Sequence, residues 1–506
     1  MNGSTHTGGM TKFLREYAAL FAGRIGSAVF GVVSLSLLAR LLGADGYGQV
    51  TLIVMLGTVC ATLFLNWPNA AVVRFGREEL LHTGRLQKTF WARAVLLTLC
   101  AVAVLVLLFA FRSALSEYVG LDADLAIACV WSFAVALALY EMAVVALQGA
   151  DRVASSGIVH FAAKAILAAL LVGAWLTFGQ DLPVETVVTL QVSSTVLVAI
   201  GALVAIRRYL GSPSLSIRSM TDAAGYTWAI VIGSTGGVIV RWVDVTIINH
   251  YLDLESVGTY AIAYQISTFI GMATASITSV VFPAIVSYKS KGQLDRIHTF
   301  LDAIIPQAML GWNVFLAIVC LVIQFALPAL LGEAYHASVW PLQILLVGLG
   351  FNAIGRLYTG VTNAFDLLKH VALLSVGVGA INVVGDVLLV PRIGIEGAAI
   401  STALAFAITH QSYIYLINRA SDLTARKTRY LVNLFPLIPA TVAIAGVSLS
   451  TPGQIVALIT STAAGIAIAR QAGFFSKHAS EWAETAKLPA FLRRRLTWLY
   501  SALAPR

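Results

Sequence analysis

Charge is what this chain lacks. Only 11% of its 506 residues are Asp, Glu, Lys or Arg, while 58% are hydrophobic and the mean hydropathy is +0.85. Soluble domains carry about 25% charged residues, and a water-soluble fold of this length needs far more polar surface. Soluble enzymes, secreted disulfide scaffolds and free nucleic-acid binders are thereby excluded. Cysteine is scarce as well: Cys60, Cys100, Cys129 and Cys320 all lie in apolar runs, with no CxxC spacing and no clustered histidine. That pattern argues against a disulfide or a metal site. No GxxxxGK[ST] phosphate loop occurs, so ATP-driven work by this chain alone is not expected, and no cofactor is. The first apolar segment opens near Tyr17 and carries Arg24. It has no short apolar core followed by a small-residue cleavage site, and reads as an uncleaved first span.

What the chain has in quantity is apolar runs of about 17 to 25 residues, the length that crosses about 30 Å of hydrocarbon as a helix. They fall near 17–39, 49–69, 92–111, 125–148, 156–178, 184–206, 225–249, 256–283, 302–326, 338–362, 371–390, 395–417, 431–449 and 453–471. The expected fold is an all-α polytopic membrane protein of about fourteen transmembrane helices. Charge then orients it. Connections after odd-numbered spans carry only Arg40, Arg112 and Arg392, whereas those after even-numbered spans, with both tails, hold 26 of the 33 basic residues. Arg74, Arg77, Arg85, Lys88 and Arg93 stand together in one of these loops. Positive residues stay on the cytoplasmic side, so both termini are expected in the cytoplasm, in the inner membrane of the cell, and the net charge of +9 is topology rather than a nucleic-acid footprint. Connections on the other side are short, about 5 to 14 residues, and leave no domain for chemistry. The last segment, 476–506, sets Leu488, Phe491, Leu492, Leu496 and Leu499 around Arg493, Arg494 and Arg495. That spacing predicts a basic amphipathic helix on the anionic inner leaflet.

The sequence also repeats. LLARLLGADGYGQVTLI at 37–53 aligns with IINHYLDLESVGTYAIA at 247–263 at a constant offset of 210, placing Leu42 over Leu252, Asp45 over Glu255 and Gly48 over Gly258. Gly120 and Gly332 occupy equivalent turns further on. The expected organisation is an N-terminal lobe at 1–210, a C-terminal lobe at 211–425, two further spans at 426–475 and the basic tail. Parallel halves related by an axis along the membrane normal are one standard build of secondary transporters.

Four segments carry a resemblance to a known family: LLARLLGADGYGQ, RWVDVTIINHYLDLESVGTYAIAYQI, LLGEAYHASVWPLQIL and LLVPRIGIEGAAIST. In order and spacing they resemble the polysaccharide-transport branch of the multidrug/oligosaccharidyl-lipid/polysaccharide (MOP) exporter superfamily, over about residues 11–470. The resemblance implies two six-helix lobes around a cavity that opens alternately to each side. It also implies a polyprenyl diphosphate carrying a sugar chain as substrate. Members similar to this chain are O-antigen, exopolysaccharide or lipid II flippases, and the motifs lean toward a polysaccharide repeat unit. By the same resemblance the two last spans help form a groove for the lipid tail, and polysaccharide polymerase and chain-length proteins are expected partners of a monomeric transporter.

Charges inside spans point the same way. A charged residue at the bilayer centre costs at least about 2.5–3.5 kcal/mol and normally faces a cavity or a partner. Arg24, Lys164 and Arg356 are expected at similar depth in the cytoplasmic half, where Arg offers a planar fork and Lys a point charge to a diphosphate. The plainer reading pairs Lys164 with Glu141 and lets Arg24 reach the surface. Arg241 and Asp244 stand three residues apart and share a helix face; Arg241 is the expected outward acceptor of the diphosphate, or else half of an internal ion pair. Asp244, Glu141 and Asp386, the last one turn beyond Asn382, are the candidates for coupling to H+ or Na+. Gln148, His160, Gln191, Gln265, Asn313, Asn352 and His410 are expected to hydrogen-bond between helices.

Three function classes remain at this point. A flippase for a lipid-linked oligosaccharide fits best. A membrane polymerase or glycosyltransferase should place acid–base residues in a sizeable outer loop, which is missing. An ion-coupled exporter of small amphipathic compounds should carry an acid-rich rather than cationic centre.

Overall fold

The computed structural model describes residues 4–179, 182–214, 216–365, 367–419 and 427–475, with side chains at 4–22, 24–25, 153, 228–241, 273, 275–284, 353–356, 363, 368–369, 372 and 427 outside that description. The described residues are helical almost throughout and contain no strand. They form two compact units, Met1–Ala261 and Ile262–Arg506. Among the described residues, ten helical stretches are long and apolar enough to cross a membrane.

The first unit opens with α1 (Ser4–Cys60), which holds the first two expected spans on either side of Gly43. Gly43 has φ 65° and ψ −176°, a conformation that a Cβ would oppose, and the chain turns there. A single π turn at Ala61–Leu65 ends the second arm. There follow α2 (Asn69–Thr83), α3 (Gln87–Ala110), α4 (Arg112–Val119), α5 (Ala123–Gly149), α6 (Val153–Phe178), α7 (Val184–Ala205), α8 (Arg207–Leu210), α9 (Ile217–Tyr251) and the first two turns of α10 (Leu254–Ser290). Caps set several starts: Asp122 accepts from the Asp124 N–H at 3.1 Å to begin α5, and Ser216 from Ser219 at 3.2 Å to begin α9. These acceptors meet N–H groups that no helical carbonyl reaches. The expected loop that carries Arg74, Arg77, Arg85 and Lys88 is in fact a helical hairpin. α2 occupies most of it, and the Glu79 carboxylate accepts from the Lys88 and Thr89 N–H groups at 2.7 and 2.9 Å, capping α3 from its neighbour.

Helix packing in this unit is close where residues are small. α1 lies along α6, with Gly23 against the Gly157 backbone and Phe30 edge-on to Phe161 at 5.4 Å. α5 packs against α1, α2, α3 and α7. α3, in contrast, turns Leu99, Val102, Val106 and Phe109 outward, as a lipid-facing helix does.

The second unit contains the rest of α10, α11 (Leu294–Thr299), a π turn at Phe300–Ile304, α12 (Ile305–Leu331), α13 (Val339–Ala364), α14 (Leu368–Ile393), α15 (Ile395–Arg419), α16 (Leu437–Ser448) and α17 (Thr451–Gln471). α10 runs through Pro283 unbroken, seven residues past the expected end of its span. The thirteenth span is composite: a 3-10 stretch, Lys427–Leu434, leads into the short α16. α15 packs on α13 and α14, and the α16–α17 hairpin packs on α12. Polar ties fix that hairpin at both ends of α12. Gln324 and Gln454 pair through their amides, Gln307 donates to the Phe474 carbonyl at 2.6 Å, and buried Arg429 donates to Asp302 at 2.5 Å. The expected amphipathic helix at 476–506 lies outside the described residues.

Candidate functional site: buried polar groups and a paired glycine crossing

The repeat read from the sequence meets itself in space. A Cβ placed on Gly48 would collide with the Leu254 carbonyl oxygen, and one placed on Gly258 with the Ala44 carbonyl oxygen. Leu254 is the repeat equivalent of Ala44 and Gly258 that of Gly48, so the contact is reciprocal, as across a two-fold axis. Both segments lie in the first unit. Backbone can approach backbone this closely only without side chains between. Gly120 and Gly332 both end their helices at positive φ, 73° and 105°, which extends the correspondence.

Around the crossing, polar contacts tie α4 to its surroundings. The Tyr118 hydroxyl donates to Thr246 at 3.2 Å, Asn249 donates to the Tyr118 carbonyl at 3.0 Å, and Gln49 to the Gly120 carbonyl at 3.1 Å. In the turn between α9 and α10, Ser256 bonds hold the Asp253 carboxyl below the usual carboxylate range, first through its hydroxyl and then through its N–H, 2.8 Å from Oδ1. Half a turn before Thr246, buried Asp244 accepts a hydrogen bond from the equally buried Tyr260 of α10. Sequence spacing offered Arg241 as the partner of Asp244; the Arg241 side chain lies outside the described residues, and Tyr260, sixteen positions on, escaped the i, i+3 and i, i+4 rules.

Of the four expected diphosphate contacts, Lys164 alone has a described side chain; those of Arg24 and Arg356, like that of Arg241, are outside the description. Lys164 is exposed near the middle of α6, about 16 Å from its start at 1.5 Å per residue. It does not pair with Glu141. Instead α5 and α6 are joined one turn away, where Tyr140 and His160 share a 2.5 Å hydrogen bond. His160 thus meets its expectation as an interhelical partner. Asn313 does not, because its amide donates to Met309 of its own helix. His410 completes no hydrogen bond at either ring nitrogen.

Arg93 also corrects the sequence reading. Counted as a loop cation, it is instead 1% exposed inside α3 and donates to Asn69 at 2.8 Å. Leucine and valine follow it so closely that the hydropathy edge falls where the arginine is, and a fold-stabilising cation passes for a flanking one.

In the second unit α14 and α15 enclose a second polar group. Asp386 is fully buried, and Asn382, one turn before it, donates to Ser401 at 3.1 Å and to Thr402 at 3.4 Å; Ser401 donates back to the Asn382 carbonyl at 2.8 Å. The sequence pointed to Asp386 and Asn382 but not to the two hydroxyls, which look like ordinary small residues of an apolar helix. The group sets a buried carboxylate one helical turn from an amide that is bonded to two hydroxyls.

The described residues form helical units with polar groups in their interiors, and that fold is shared with solved transporters of the MOP superfamily. It matches the lipid II flippase MurJ in an inward closed conformation with a TM-score of 0.71, covering 89% of this chain and 98% of that one at 12% identity. An inward-facing multidrug resistance MATE family transporter matches with a TM-score of 0.63, covering 79% and 96% at 11% identity. The chain is thus a multi-pass membrane protein with the fold of these transporters. The chain belongs to the polysaccharide biosynthesis protein family, whose profile matches residues 13–289. Similar curated proteins include the probable low-salt glycan biosynthesis flippase Agl15 of Haloferax volcanii, 24% identical over 428 residues that cover 79% of this chain and 83% of the relative. The probable flippase AglR of the same organism is 21% identical over 417 residues, covering 79% and 82%.

Proposed function

We propose that this protein is a flippase that carries a polyprenyl-diphosphate-linked oligosaccharide, an O-antigen or exopolysaccharide repeat unit, from the cytoplasmic to the outer leaflet by alternating access. The observation that carries this reading is the reciprocal Gly48–Gly258 crossing in a chain of this family. It is a backbone seal at the end of the bundle that charge bias assigns to the outer face. Seals of this kind, made by packing rather than by covalent or ionic bonds, can open at modest cost. The family and the flippase names of its relatives support the substrate class.

In this reading the diphosphate is held by Arg24, Lys164 and Arg356 and passes outward to Arg241, while the prenyl chain stays in lipid. Arginine forks and a lysine point charge replace the water that a diphosphate gives up. The functional halves are 1–210 and 211–425, with 426–475 as the accessory hairpin. Both termini face the cytoplasm, and polymerase and chain-length proteins take up the product on the other side. Coupling to H+ or Na+ runs through Asp386, with Asn382 and Thr402 beside it, and through Asp244 and Glu141. Buried carboxylates in apolar helices are costly to keep, and binding a cation offsets that cost.

A strain lacking the protein tests the direction of transport. Lipid-linked oligosaccharide should accumulate on the cytoplasmic leaflet, surface polymer should disappear, and wild type but not Arg24→Ala should restore both. Outward-facing, unpolymerised units in that strain would point to an enzyme acting after translocation instead.

A further inference from the structure

Deep in the second unit, polar side chains from three elements converge with no well-formed hydrogen bond among them, Asn433 alone coming within reach of His410. His410 of α15 is fully buried (0%), and neither ring nitrogen has a partner. The Tyr358 ring of α13 lies 5.8 Å from the imidazole, 1% exposed, with its hydroxyl unbonded. Asn433, from the stretch that precedes α16, sits beside the imidazole, and its Oδ1 is unbonded. Phe351 closes the cluster from α13 at 6.2 Å. An imidazole, a phenol and an amide kept in an apolar core are a net penalty unless something satisfies them. One or two small polar molecules with several such neighbours do so.

The cluster is connected. Four residues before Asn433, Arg429 donates to Asp302 at 2.5 Å and to Asn418 at 2.6 Å, with His298 Nδ1 at 3.4 Å. Arg429, Asp302 and Tyr430 act electrostatically on Tyr358, and Tyr430 is 39% exposed at the basic end. Among the described residues, Tyr358 is thus the titratable group beside His410, and Arg429 and Tyr430 from the 3-10 stretch and Asp302 from the π turn before α12 act on it through Tyr358. Asp302 pairs with Arg429 along the described part of that route.

We infer that His410, with Tyr358 and Asn433, forms a hydrated proton-binding site, reached from the basic end along the Asp302–Arg429 pair. Imidazole is the side chain whose unperturbed pKa lies nearest neutrality, and charging it in this apolar core requires the water that the site would hold. An ionisable group within a membrane helix is a functional candidate in its own right. The inference deepens the coupling reading and rests on it: the proton that His410 takes up from the cytoplasmic face is the coupled one, or one relayed toward Asp386 along α15.

The full chain reconstituted in vesicles tests this, with a fluorescent polyprenyl-diphosphate disaccharide as probe. An imposed pH gradient should raise wild-type translocation several-fold. His410→Asn should lose that stimulation but keep gradient-independent translocation, and Tyr358→Phe, which preserves the packing, should reduce it. Stimulation undiminished in both variants overturns the inference, as does wild-type translocation indifferent to the gradient, which leaves the flippase reading intact. Without any wild-type translocation the flippase reading itself fails. The proton site is then read directly from the imidazole 15N resonance lost in His410→Asn: a shift that moves between pH 8 and pH 5 supports the site, and a constant one overturns it.

Discussion

Lys164 separates a functional cation from a structural one. Its side chain is exposed and makes no ion pair with Glu141, so truncation removes little packing, and Lys164→Ala should change stability by no more than about 0.5 kcal/mol. Transport should nevertheless fall at least about tenfold, equivalent to about 1.4 kcal/mol of lost diphosphate binding, and Lys164→Arg should retain part of it. Thermal melts and a translocation assay on the same preparations check both halves; equal transport by the alanine variant removes Lys164 from the substrate path. At this scale the sequence was informative where chemistry is rare. A carboxylate such as Asp244 or Asp386 within an apolar run draws notice by its cost alone. Tyr260, Ser401 and Thr402 drew none, since hydroxyls are common in membrane helices and only the meeting of α9 with α10, or α14 with α15, gives them a role. Arg93 was misplaced because hydropathy locates the edge of a helix by composition, not by burial.

Among elements, the α1 turn and its repeat partner make the contact on which the proposed mechanism depends. Gly48→Ala or Gly258→Ala must push a carbonyl aside at a contact with no slack, and each should destabilise the crossed state by about 1–3 kcal/mol, the usual penalty of overpacking. The double variant should cost less than the two together, because one separation relieves both collisions. Gly173→Ala on α6, where a Cβ meets nothing within 4 Å, is the control and should be neutral or mildly stabilising. Denaturation of the purified variants measures all four. Asp253 tests the start of α10: Asp253→Ala should cost about 0.5–2 kcal/mol, the usual range for losing a helix cap, and less for a group this exposed. Its carboxyl pKa is lowered in the folded state, so its contribution is complete above about pH 4, the ordinary carboxylate value, and disappears as pH falls through the lowered one. Melts of wild type and variant should differ at pH 7, and the difference should shrink as pH falls below about 4. Helices of this kind are legible because a span must be apolar for its whole length. The helical hairpin of α2 and α3 was not, since its order comes from a Glu79 cap nine and ten residues upstream of the groups it satisfies.

For the whole molecule, the fold class followed from the scarcity of charge and the number of long apolar runs, whereas the internal repeat marked two equivalent segments without telling that their backbones meet. The sequence could not give the joining of the terminal hairpin to α12, which rests on Gln324 with Gln454, Gln307 with the Phe474 carbonyl and Asp302 with Arg429, pairs 127 to 167 residues apart. No local pattern encodes such ties. The central claim is that this assembly moves a lipid-linked glycan across the bilayer, and the most direct measurement is leaflet exchange in vesicles containing only the purified chain. A polyprenyl-diphosphate oligosaccharide with a reporter on its sugar is placed in both leaflets, and the outer pool is quenched by a membrane-impermeant reagent. The account predicts that quenching proceeds to completion with wild type and stops near half in empty vesicles, with Gly48→Ala altering the rate. Quenching that stops near half with folded wild-type protein, under imposed proton and sodium gradients as well as without them, would contradict it.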